Sequence, residues 1–465
     1  MYYRLHPDYV LRGWKGRAWA LVKRPENKVR TLNPEEFQAF LLCDGMTDME
    51  AGYITDSTRK LLRKYEEKGI VEACGGEVLL EEEQFYRYYD NRFVRSVLWS
   101  VTGRCNFRCR HCYMDAPQGT LGELSHEQAM SLIDQMAQCG VQCVNLTGGE
   151  PFVRRDFWSL IDRIQSYKMA IGQIYTNGWM LDEEVLDRFA ERNLKPEFSI
   201  SFDGTGWHDW MRGVEGAEEA ALRALRLCSV RGFSTSVEMC AHKGNRDTLA
   251  RTVGLLADIG ISMLRIGSVM ETDLWRRKSD GNAMAFREYL EAMLAYIPQF
   301  YEAGMPMDIT LAGVIQLRKE STEFLVIPAR YDGTEGCGNR FLCGAARYGC
   351  YITPEGRLLP CMPMTSWKNQ DVFPLVQDIG LKKGLSDSFY MDIVGSRVKD
   401  LLAVNSKCAA CAHRYLCGGG CRAAALEQTG DLMGCDGNQC ILWNEGYVER
   451  ILETAESAIA KYCGT

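Results

Sequence analysis

At 465 residues the chain is too long for a single ordinary hydrophobic core, and its length predicts about two to four domains. A formal net charge of -7 at pH 7 argues against a strongly basic nucleic-acid surface, so we expect no nucleic-acid partner. The 20 cysteines, in a chain too large for a disulfide-stapled domain, favour metal or cluster ligation. The amino terminus lacks an apolar signal segment and no run of about 18 apolar residues occurs, so we expect a cytoplasmic protein with no membrane partner.

Residues 1–90 are predicted to form a small domain of strands followed by helices. The segments YVLRGW, AWALVKR and KVRTL have the composition of strands. A first helix is predicted to begin after Asn33, which can cap it, because Pro34 suits the first helical position. A second helical pattern ends at Gly69, and the whole arrangement is typical of a winged-helix-like domain.

Residues 91–310 alternate regularly between apolar strand segments and amphipathic helices. Six strands are predicted, in SVLWSVTG, CVNLTGG, AIGQIYTNG, EFSISFDG, STSVEMCA and MLRIGSV. Six such βα units imply an α/β fold with a parallel sheet buried on both faces. The active site of such a sheet lies at the carboxyl ends of its strands.

Residues 311–465 are rich in cysteine and glycine and show little periodicity. We therefore expect this region to depend on bound metal more than on a hydrophobic core. The segment from Trp443 onward has an amphipathic pattern and is predicted to form a closing helix.

Three cysteines, Cys105, Cys109 and Cys112, follow the first strand of the central region with the spacing C-x3-C-x2-C. A tetrahedral zinc site or a cubane iron–sulfur cluster needs four ligands, so one position is open. An iron without a protein ligand can hold a substrate within electron-transfer range. A zinc site completed by a distant side chain, or three unrelated buried thiols, remain alternatives at this point.

The triplet resembles the defining motif of the radical S-adenosylmethionine (SAM) superfamily, C-x3-C-x-Φ-C, with His111 in the aromatic position Φ. The resemblance implies a partial (β/α)6 TIM barrel and a [4Fe–4S] cluster on the three cysteines. The amino and carboxylate groups of SAM would chelate the fourth iron. One electron then cleaves SAM to a 5′-deoxyadenosyl radical.

Residues at the later strand ends match the SAM contacts of that superfamily. In TGGEP we expect the glycines to let the backbone approach the ligand and Glu150 to accept a hydrogen bond from the methionine ammonium. The resemblance assigns SAM contacts to His111, Tyr113, Gly148, Gly149, Glu150, Pro151, Asn177, Ser201, Asp203, Glu238 and Arg265. For the last four a cap or turn role stays open. His208, Asp209 and Arg212 are expected to organise their loop rather than to react.

The cysteines beyond residue 311 resemble the SPASM extension of radical SAM enzymes, with C343-x12-G356-x4-C361, C408-x2-C411-x5-C417-x3-C421 and a later cysteine. The resemblance implies two auxiliary [4Fe–4S] clusters, three clusters in all. The first would use Cys337, Cys343, Cys361 and Cys421, and the second Cys408, Cys411, Cys417 and Cys440. Cys440 is preferred to Cys435, and Cys350 and Cys435 are expected to be spare thiols.

Members with this extension mostly modify peptides. Met362 stands where sulfatase maturases carry an Asp, which argues against formylglycine formation. Residues 1–90 resemble the precursor recognition element of maturases for ribosomally made peptides (RiPPs), which binds a leader by strand addition beside its third strand, here about Lys28 to Leu32. A DNA-binding winged helix is disfavoured, because the segment NPEEF is acidic and no clear basic recognition helix follows.

The combined resemblance predicts a RiPP maturase that abstracts hydrogen from a core peptide and forms an oxidative cross-link, preferably a Cys thioether. An external one-electron reductant such as flavodoxin or ferredoxin is implied. The alternatives are a carbon–carbon (cyclophane-type) cross-link or peptidyl epimerisation, for which Cys240 is a possible hydrogen donor. A non-enzymatic iron–sulfur redox sensor would explain the cysteines but neither GGEP nor a leader-binding domain.

Overall fold

The amino-terminal residues form two small sheets, in which most neighbouring strands are antiparallel. This computed structural model describes residues 1–24, 26, 28–76, 78–114, 116, 121–329 and 331–464. The strands are β1 (Tyr2–Leu5), β2 (Tyr9–Lys15), β3 (Arg17–Lys23), β4 (Lys28–Thr31), β5 (Asp44–Asp48), β6 (Val71–Cys74) and β7 (Arg87–Arg92). One sheet has the order β5-β1-β6 and the other β4-β3-β2-β7. The segment that we predicted as the third strand is therefore the fourth, because the four residues of β1 are too few for a visible alternation.

Two helices, α1 (Pro34–Leu41) and α2 (Asp56–Glu66), cover the three-stranded sheet. The predicted cap is confirmed: the Glu36 backbone N–H donates to Asn33 Oδ1 at 2.8 Å, and the Asn33 N–H donates to the Glu36 carboxylate at 3.1 Å. Phe40 of α1 and Leu62 of α2 are buried against Tyr3 and Leu5 of β1. This domain thus has a small core of its own.

The central feature of the fold is one sheet of eleven strands. Its strands are β8 (Ser96–Ser100), β9 (Cys143–Thr147), β10 (Ala170–Thr176), β11 (Glu197–Ser201), β12 (Thr235–Ala241), β13 (Met263–Ser268), β14 (Asp308–Leu311), β15 (Ile315–Leu317), β16 (Phe324–Val326), β17 (Gly349–Ile352) and β18 (Leu358–Leu359). The order is β16-β15-β14-β13-β12-β11-β10-β9-β8-β17-β18, and neighbours from β8 to β14 run parallel. The six predicted strands, the α/β class and the partial TIM barrel are confirmed.

Helices cover the outside of this barrel. They are α3 (His126–Gln138), α4 (Phe157–Ser166), α5 (Glu183–Glu191), α6 (His208–Arg212), α7 (Ala217–Val230), α8 (Leu249–Ile259), α9 (Asp273–Lys278) and α10 (Phe286–Glu302). Their apolar faces pack on the strands in one large core. Among the helices in the described part of the chain, none is long and apolar enough to cross a membrane.

The carboxy-terminal region belongs to the same core. After β17 and β18 it continues in short helices, and its helices are α11 (Gly344–Tyr348), α12 (Val376–Ile379), α13 (Leu381–Gly384), α14 (Phe389–Gly395), α15 (Val398–Val404), α16 (Ser406–Ala410), α17 (Arg414–Cys417), α18 (Arg422–Thr429), α19 (Gly437–Asn444) and α20 (Tyr447–Tyr462). Tyr351, Leu359 and Tyr390 are fully buried among the barrel's apolar residues. The expectation that metal largely replaces a core here was wrong: β17 pairs in parallel with β8 and carries these residues into the barrel.

Two further features concern the predicted boundaries. The closing helix begins at Tyr447 rather than Trp443, because Gly446 adopts a left-handed conformation with φ of 71° and separates α19 from α20. Strand β14 spans residues 308–311, so the predicted boundary between residues 310 and 311 falls within a strand of the barrel sheet.

The amino-terminal domain docks on the barrel through β2 and β7. The Trp14 indole N–H and the Asn91 side-chain amide both donate to the carbonyl of Cys139, each at 3.1 Å. Gly140, with φ of 69°, passes so close to Tyr89 that a Cβ there would lie 2.5 Å from its ring. Strand β4 lies at the opposite edge of the same sheet.

Candidate active site

The loop after β8 that carries Cys105, Cys109 and Cys112 is held from two sides. On one side the N–H groups of Gly149 and Glu150 donate to the carbonyls of Thr102 and Arg104, at 2.8 and 2.9 Å. On the other side the N–H groups of Arg108 and Arg110 donate to the carbonyls of Arg212 and Met211 in α6, at 3.2 and 2.9 Å. The loop's position is therefore set by backbone pairing with the GGEP turn and with α6.

The three thiols lie in a desolvated group. Burial raises the pKa of Cys105 to about 12 and that of Cys109 to about 11, and the neighbouring thiols raise both further. The backbone N–H of Phe107 donates to the Cys105 sulfur at 3.3 Å and that of Ala116 to the Cys112 sulfur at 3.4 Å. Such N–H donors would stabilise the negative charge of thiolates that bind iron.

Among the described residues, no set of three or more His, Cys, Asp or Glu side chains is positioned to hold one metal ion. Three neighbouring thiols that accept backbone hydrogen bonds are a donor set suited to three corners of a cubane cluster. His111 also fits a site for a bound group, since its Nδ1 is buried without a hydrogen-bond partner in the described part of the chain.

The glycines of GGEP approach the cysteine loop. A Cβ on Gly148 would lie 2.7 Å from the Thr102 carbonyl oxygen, and one on Gly149 would lie 2.1 Å from that of Arg104. Gly148 has a φ of 157°, which favours glycine. We expected these glycines to allow close approach to a ligand. In the structure they let the turn pack closely against the cysteine loop.

Glu150 is fully buried, and its carboxylate already accepts several protein donors. The Thr176 hydroxyl donates to it at 2.9 Å and the Asn177 N–H at 2.8 Å, while the Phe152 N–H donates at 3.3 Å. Burial raises its pKa to about 7 against these donors. Glu150 braces the ends of β9 and β10 through these contacts, and its contact with the methionine ammonium stays a prediction.

Four more predicted residues lie in or near the cysteine loop. Asn177 donates from its side-chain amide to Asn106 Oδ1 at 2.7 Å and lies 4.0 Å from the Cys105 sulfur. Burial lowers the pKa of His111 to about 3, so its imidazole is neutral, and burial raises the pKa of Tyr113 well above its ordinary value. Pro151 is buried at the start of the turn that follows Glu150.

Ser201, Glu238 and Arg265 lie side by side on three neighbouring strands. The register pairs Ser201 of β11 with Glu238 of β12, and Glu238 with Arg265 of β13. Burial raises the pKa of Glu238, while the charge of Arg265 lowers it. The three residues therefore form one polar row across the sheet, at the level where the resemblance places SAM.

Asp203 is held by protein donors at both carboxylate oxygens. The Arg212 Nε donates to one oxygen at 2.7 Å and the Cys240 backbone N–H donates to the other at 3.0 Å. Asp203 is fully buried, and despite burial the charge of Arg212 holds its pKa below the usual range. Its direct contact with SAM stays a prediction.

Cys240, the possible hydrogen donor, lies at the carboxyl end of β12 within the same network. Burial and the charge of Asp203 raise the pKa of its thiol to about 12, so the thiol keeps its proton. The charges of Arg212 and Cys109 also act on it, which places Cys240 close to the cysteine loop.

Three of the four cysteines predicted for the first auxiliary cluster lie together. Burial raises the pKa of Cys361, and the neighbouring thiols Cys421 and Cys343 raise it further. Cys337 differs, since its thiol donates to Asp332 Oδ1 at 3.0 Å. The structure brings together three of these thiols and directs the fourth to a carboxylate.

The second auxiliary set contains five thiols instead of the expected four. One cavity is lined by Cys408, Cys411, Cys417, Cys435 and Cys440. The Cys408 and Cys435 sulfurs are 3.5 Å apart, and the Asn405 side-chain amide lies 3.6 Å from the Cys435 sulfur. Cys435 thus lines the same cavity as the four predicted ligands, whereas Cys350 is buried in the core. The choice between Cys435 and Cys440 as a ligand stays a prediction.

Asp436 is a residue of this region that the sequence reasoning missed. Its carboxylate accepts the N–H of Cys421 at 2.8 Å and those of Asn438 and Gln439 at the start of α19. It thus ties a predicted cluster ligand to a helix cap. An Asp directly before a helical segment was the available signal.

Residues 99–256 match the protein-family model described as Radical SAM superfamily. This span contains the cysteine triplet, the GGEP turn, the polar row's first two members, and Arg212. The family implies a [4Fe–4S] cluster and SAM as cofactors.

Two curated relatives and one solved structure are similar to this chain. The pre-heme d1 synthase of Dinoroseobacter shibae is 28% identical over 367 residues, which cover 75% of this chain and 88% of that protein. The mycofactocin maturase MftC of Mycobacterium ulcerans is 28% identical over 331 residues, covering 70% of this chain and 82% of that protein. Streptococcus suis SuiB bound to precursor peptide SuiA has a TM-score of 0.64 and 14% identity, covering 94% of this chain and 99% of that chain, a likeness of fold.

The five-thiol cavity generates a prediction about iron content. Because Cys435 and Cys440 line the same cavity, we expect Cys435→Ala and Cys440→Ala each to keep its iron. The double variant should lose about four iron atoms per chain, as one cubane cluster is lost. Chemical iron analysis of the reconstituted proteins measures this, with Cys463→Ala as the matched control. A full loss in Cys440→Ala alone would return Cys435 to a spare thiol.

Proposed function

We propose that this chain, which is a radical SAM enzyme, binds the leader of a ribosomally made precursor peptide and forms an oxidative cross-link in its core peptide. A thioether from a substrate cysteine is the preferred product. The observation that carries the proposal is the amino-terminal sheet with its edge strand β4, docked on a radical SAM barrel.

The comparisons support a peptide substrate. The fold likeness to SuiB bound to its precursor peptide SuiA covers 94% of the chain and so includes most of residues 1–90. A maturase, MftC, is among the similar proteins. An extended peptide can add to the edge of β4, because the backbone groups of an edge strand are free to pair on one side.

When bound, the cluster and SAM supply a 5′-deoxyadenosyl radical that removes a hydrogen atom from the substrate. Cys105, Cys109 and Cys112 contribute three thiolates to hold the cluster. The neutral His111 supplies an unpaired ring nitrogen at the same loop. The loop that would hold the cluster is kept in place by the GGEP turn and α6.

The chain's polar groups orient SAM. We assign its amino-acid end to the backbone of Gly148 and Gly149, beside the buried Glu150. We assign the rest of SAM to the row formed by Ser201, Glu238 and Arg265, with Tyr113 and Asn177 shaping the wall next to the loop. Asp203 acts indirectly, by holding Arg212 and the backbone of Cys240.

Two auxiliary clusters complete the proposal, one at Cys337, Cys343, Cys361 and Cys421 and one in the five-thiol cavity. A thioether forms when a substrate sulfur bonds to a carbon that has lost a hydrogen atom. The thiol proton would be released, and the remaining electron would pass to an external one-electron acceptor by a route that an auxiliary cluster held by these cysteines would supply. An external one-electron donor of the flavodoxin or ferredoxin class starts each turnover.

Tetrapyrrole modification is a second candidate, favoured by the similarity to pre-heme d1 synthase. That similarity covers 75% of this chain and the similarity to MftC covers 70%, so coverage does not separate the two candidates. Peptide modification gives the amino-terminal domain a role and is therefore preferred. Epimerisation through the protonated Cys240 thiol remains the alternative within peptide chemistry.

The central experiment is the mass of the product. Reconstituted enzyme, SAM, a reductant and the short peptide encoded beside its gene should give a peptide lighter by two hydrogen atoms. Mass spectrometry of a reaction in deuterated water distinguishes the alternatives. A peptide that loses no hydrogen atoms overall but gains one deuteron from the solvent contradicts cross-linking and favours epimerisation. Consumption of an added tetrapyrrole with no change in peptide favours the second candidate. The variant with Cys105, Cys109 and Cys112 replaced by Ala should be inactive.

Leader binding by strand addition predicts a change in amide exchange. Because an added strand pairs with backbone N–H groups of β4, the leader should slow hydrogen exchange in residues 28–32. Strand β7, the other edge of the same sheet, is the matched control and should keep its rate. Exchange detected by mass spectrometry with and without the leader measures this. Protection of β7 with none in β4 would contradict the assignment.

Glu150 predicts a pH dependence of SAM affinity. With a pKa of about 7 before SAM binds, this carboxyl is protonated below pH 7 and ionised above it. A nearby amino group favours the ionised form, so affinity should rise as pH increases from about 6 to about 8. The ratio of wild-type to Glu150→Gln affinity, measured by calorimetry, isolates this effect from the titration of SAM itself. Glu123→Gln in the neighbouring loop is the control, and a flat ratio for Glu150→Gln would contradict the role.

A further inference from the structure

Arg212, at the end of α6, reaches a cysteine of the triplet. Its Nη1 lies 3.9 Å from the Cys109 sulfur, within hydrogen-bonding distance of a sulfur acceptor. Its Nε donates to Asp203 Oδ2 at 2.7 Å, and the residue is only 7% exposed. The guanidinium therefore bridges a buried carboxylate and a cysteine of the loop.

The local structure fixes the position of this guanidinium. The carbonyl of Arg212 accepts the Arg108 N–H at 3.2 Å, which joins α6 directly to the cysteine loop. At Gly213, with φ of 68°, a Cβ would lie 2.4 Å from the Arg108 carbonyl oxygen, so the contact requires glycine. Asp203 in turn is held by the Cys240 N–H at 3.0 Å. Both ends of the Arg212 side chain are thus anchored.

Arg212 is also the positive charge of this part of the site. Burial lowers the pKa of His111, His208 and His242, so these nearby imidazoles are neutral. Among the described groups that act most strongly on the Cys109 pKa, Arg212 is the one cation. Burial opposes its charge, but the charges of Asp203 and Cys109 hold the Arg212 pKa above the ordinary value.

We propose that Arg212 tunes the reduction potential of the cluster on Cys105, Cys109 and Cys112 by a charge-assisted hydrogen bond to the Cys109 sulfur. Reduction adds one electron, from an external one-electron donor, and makes the cluster more negative. A buried cation next to a ligand sulfur stabilises that added charge and raises the potential. Arg212 keeps its proton throughout, because a guanidinium does not deprotonate in this range. The inference depends on the proposed function only in that the three cysteines hold a cluster.

Potentiometric titration followed by electron paramagnetic resonance tests this role, and the signal that SAM perturbs identifies the relevant cluster. At a fixed solution potential, we expect Arg212→Gln to lower the ratio of reduced to oxidised cluster about tenfold, the order of one charge-assisted hydrogen bond. Arg212→Lys, which keeps the charge, should fall between this variant and wild type. Arg110→Gln is the matched control, since Arg110 lies in the same loop but donates to the carbonyl of Trp210, and its potential should not change.

The outcomes separate the inference from its premise. A wild-type protein that binds no iron, or whose signal SAM leaves unchanged, refutes the cluster itself. A fully loaded Arg212→Gln protein with the wild-type potential overturns the role of Arg212. If removal of one buried charge prevents folding, Arg212→Lys keeps the charge but loses the guanidinium that reaches the Cys109 sulfur. That variant must still show a more negative potential than wild type, and an unchanged value overturns the inference.

Discussion

The backbone pairing that holds the cysteine loop between the GGEP turn and α6 is the constraint on which the site depends. Four N–H groups, from residues on both sides, fix a loop that has no regular secondary structure of its own. The pairing brings backbones so close that Gly148, Gly149 and Gly213 have no room for a Cβ. The same contacts place Glu150 under the ends of β9 and β10 and carry Arg212 to the Cys109 sulfur.

Burial of this loop makes most of the site electrically neutral before cofactors bind. Cys105 and Cys109 hold their protons, and His111 and His242 are uncharged. The Asp203–Arg212 pair is the exception, and it is stable because two opposite charges meet at 2.7 Å with further hydrogen bonds to Asp203. In this water-poor site each charge that a cofactor brings interacts strongly with its neighbours. A single guanidinium therefore has a large electrostatic effect.

The parts of the fold with a clear hydrophobic periodicity could be predicted from the sequence, whereas the contacts between loops could not. All six barrel strands and the cap at Asn33 follow from local patterns, as does the position of the cysteine triplet at the carboxyl end of β8. Strand β1 and the buried residues around Tyr351 were missed, because elements of four residues show no usable period. The protein contacts of Glu150 and Asp203 could not be predicted for another reason: residue type and strand position do not tell which protein donors a carboxylate serves.

The docking of the amino-terminal sheet limits how a peptide could use both parts of the protein. Strand β7 contacts the barrel side near Gly140, while β4 lies at the opposite edge, so an added leader strand would lie four strand spacings from β7. At about 4.8 Å per spacing this is roughly 19 Å, which an extended chain of about 3.4 Å per residue crosses with about six residues. Gly140 precedes β9, at the amino end of the strands, whereas the cysteine loop follows the carboxyl end of β8. If a leader binds beside β4 as proposed, the peptide must also span the height of the barrel, and the modified residues would follow the leader strand by clearly more than six positions. In that arrangement the separation of leader and core follows from which edge of the sheet is open.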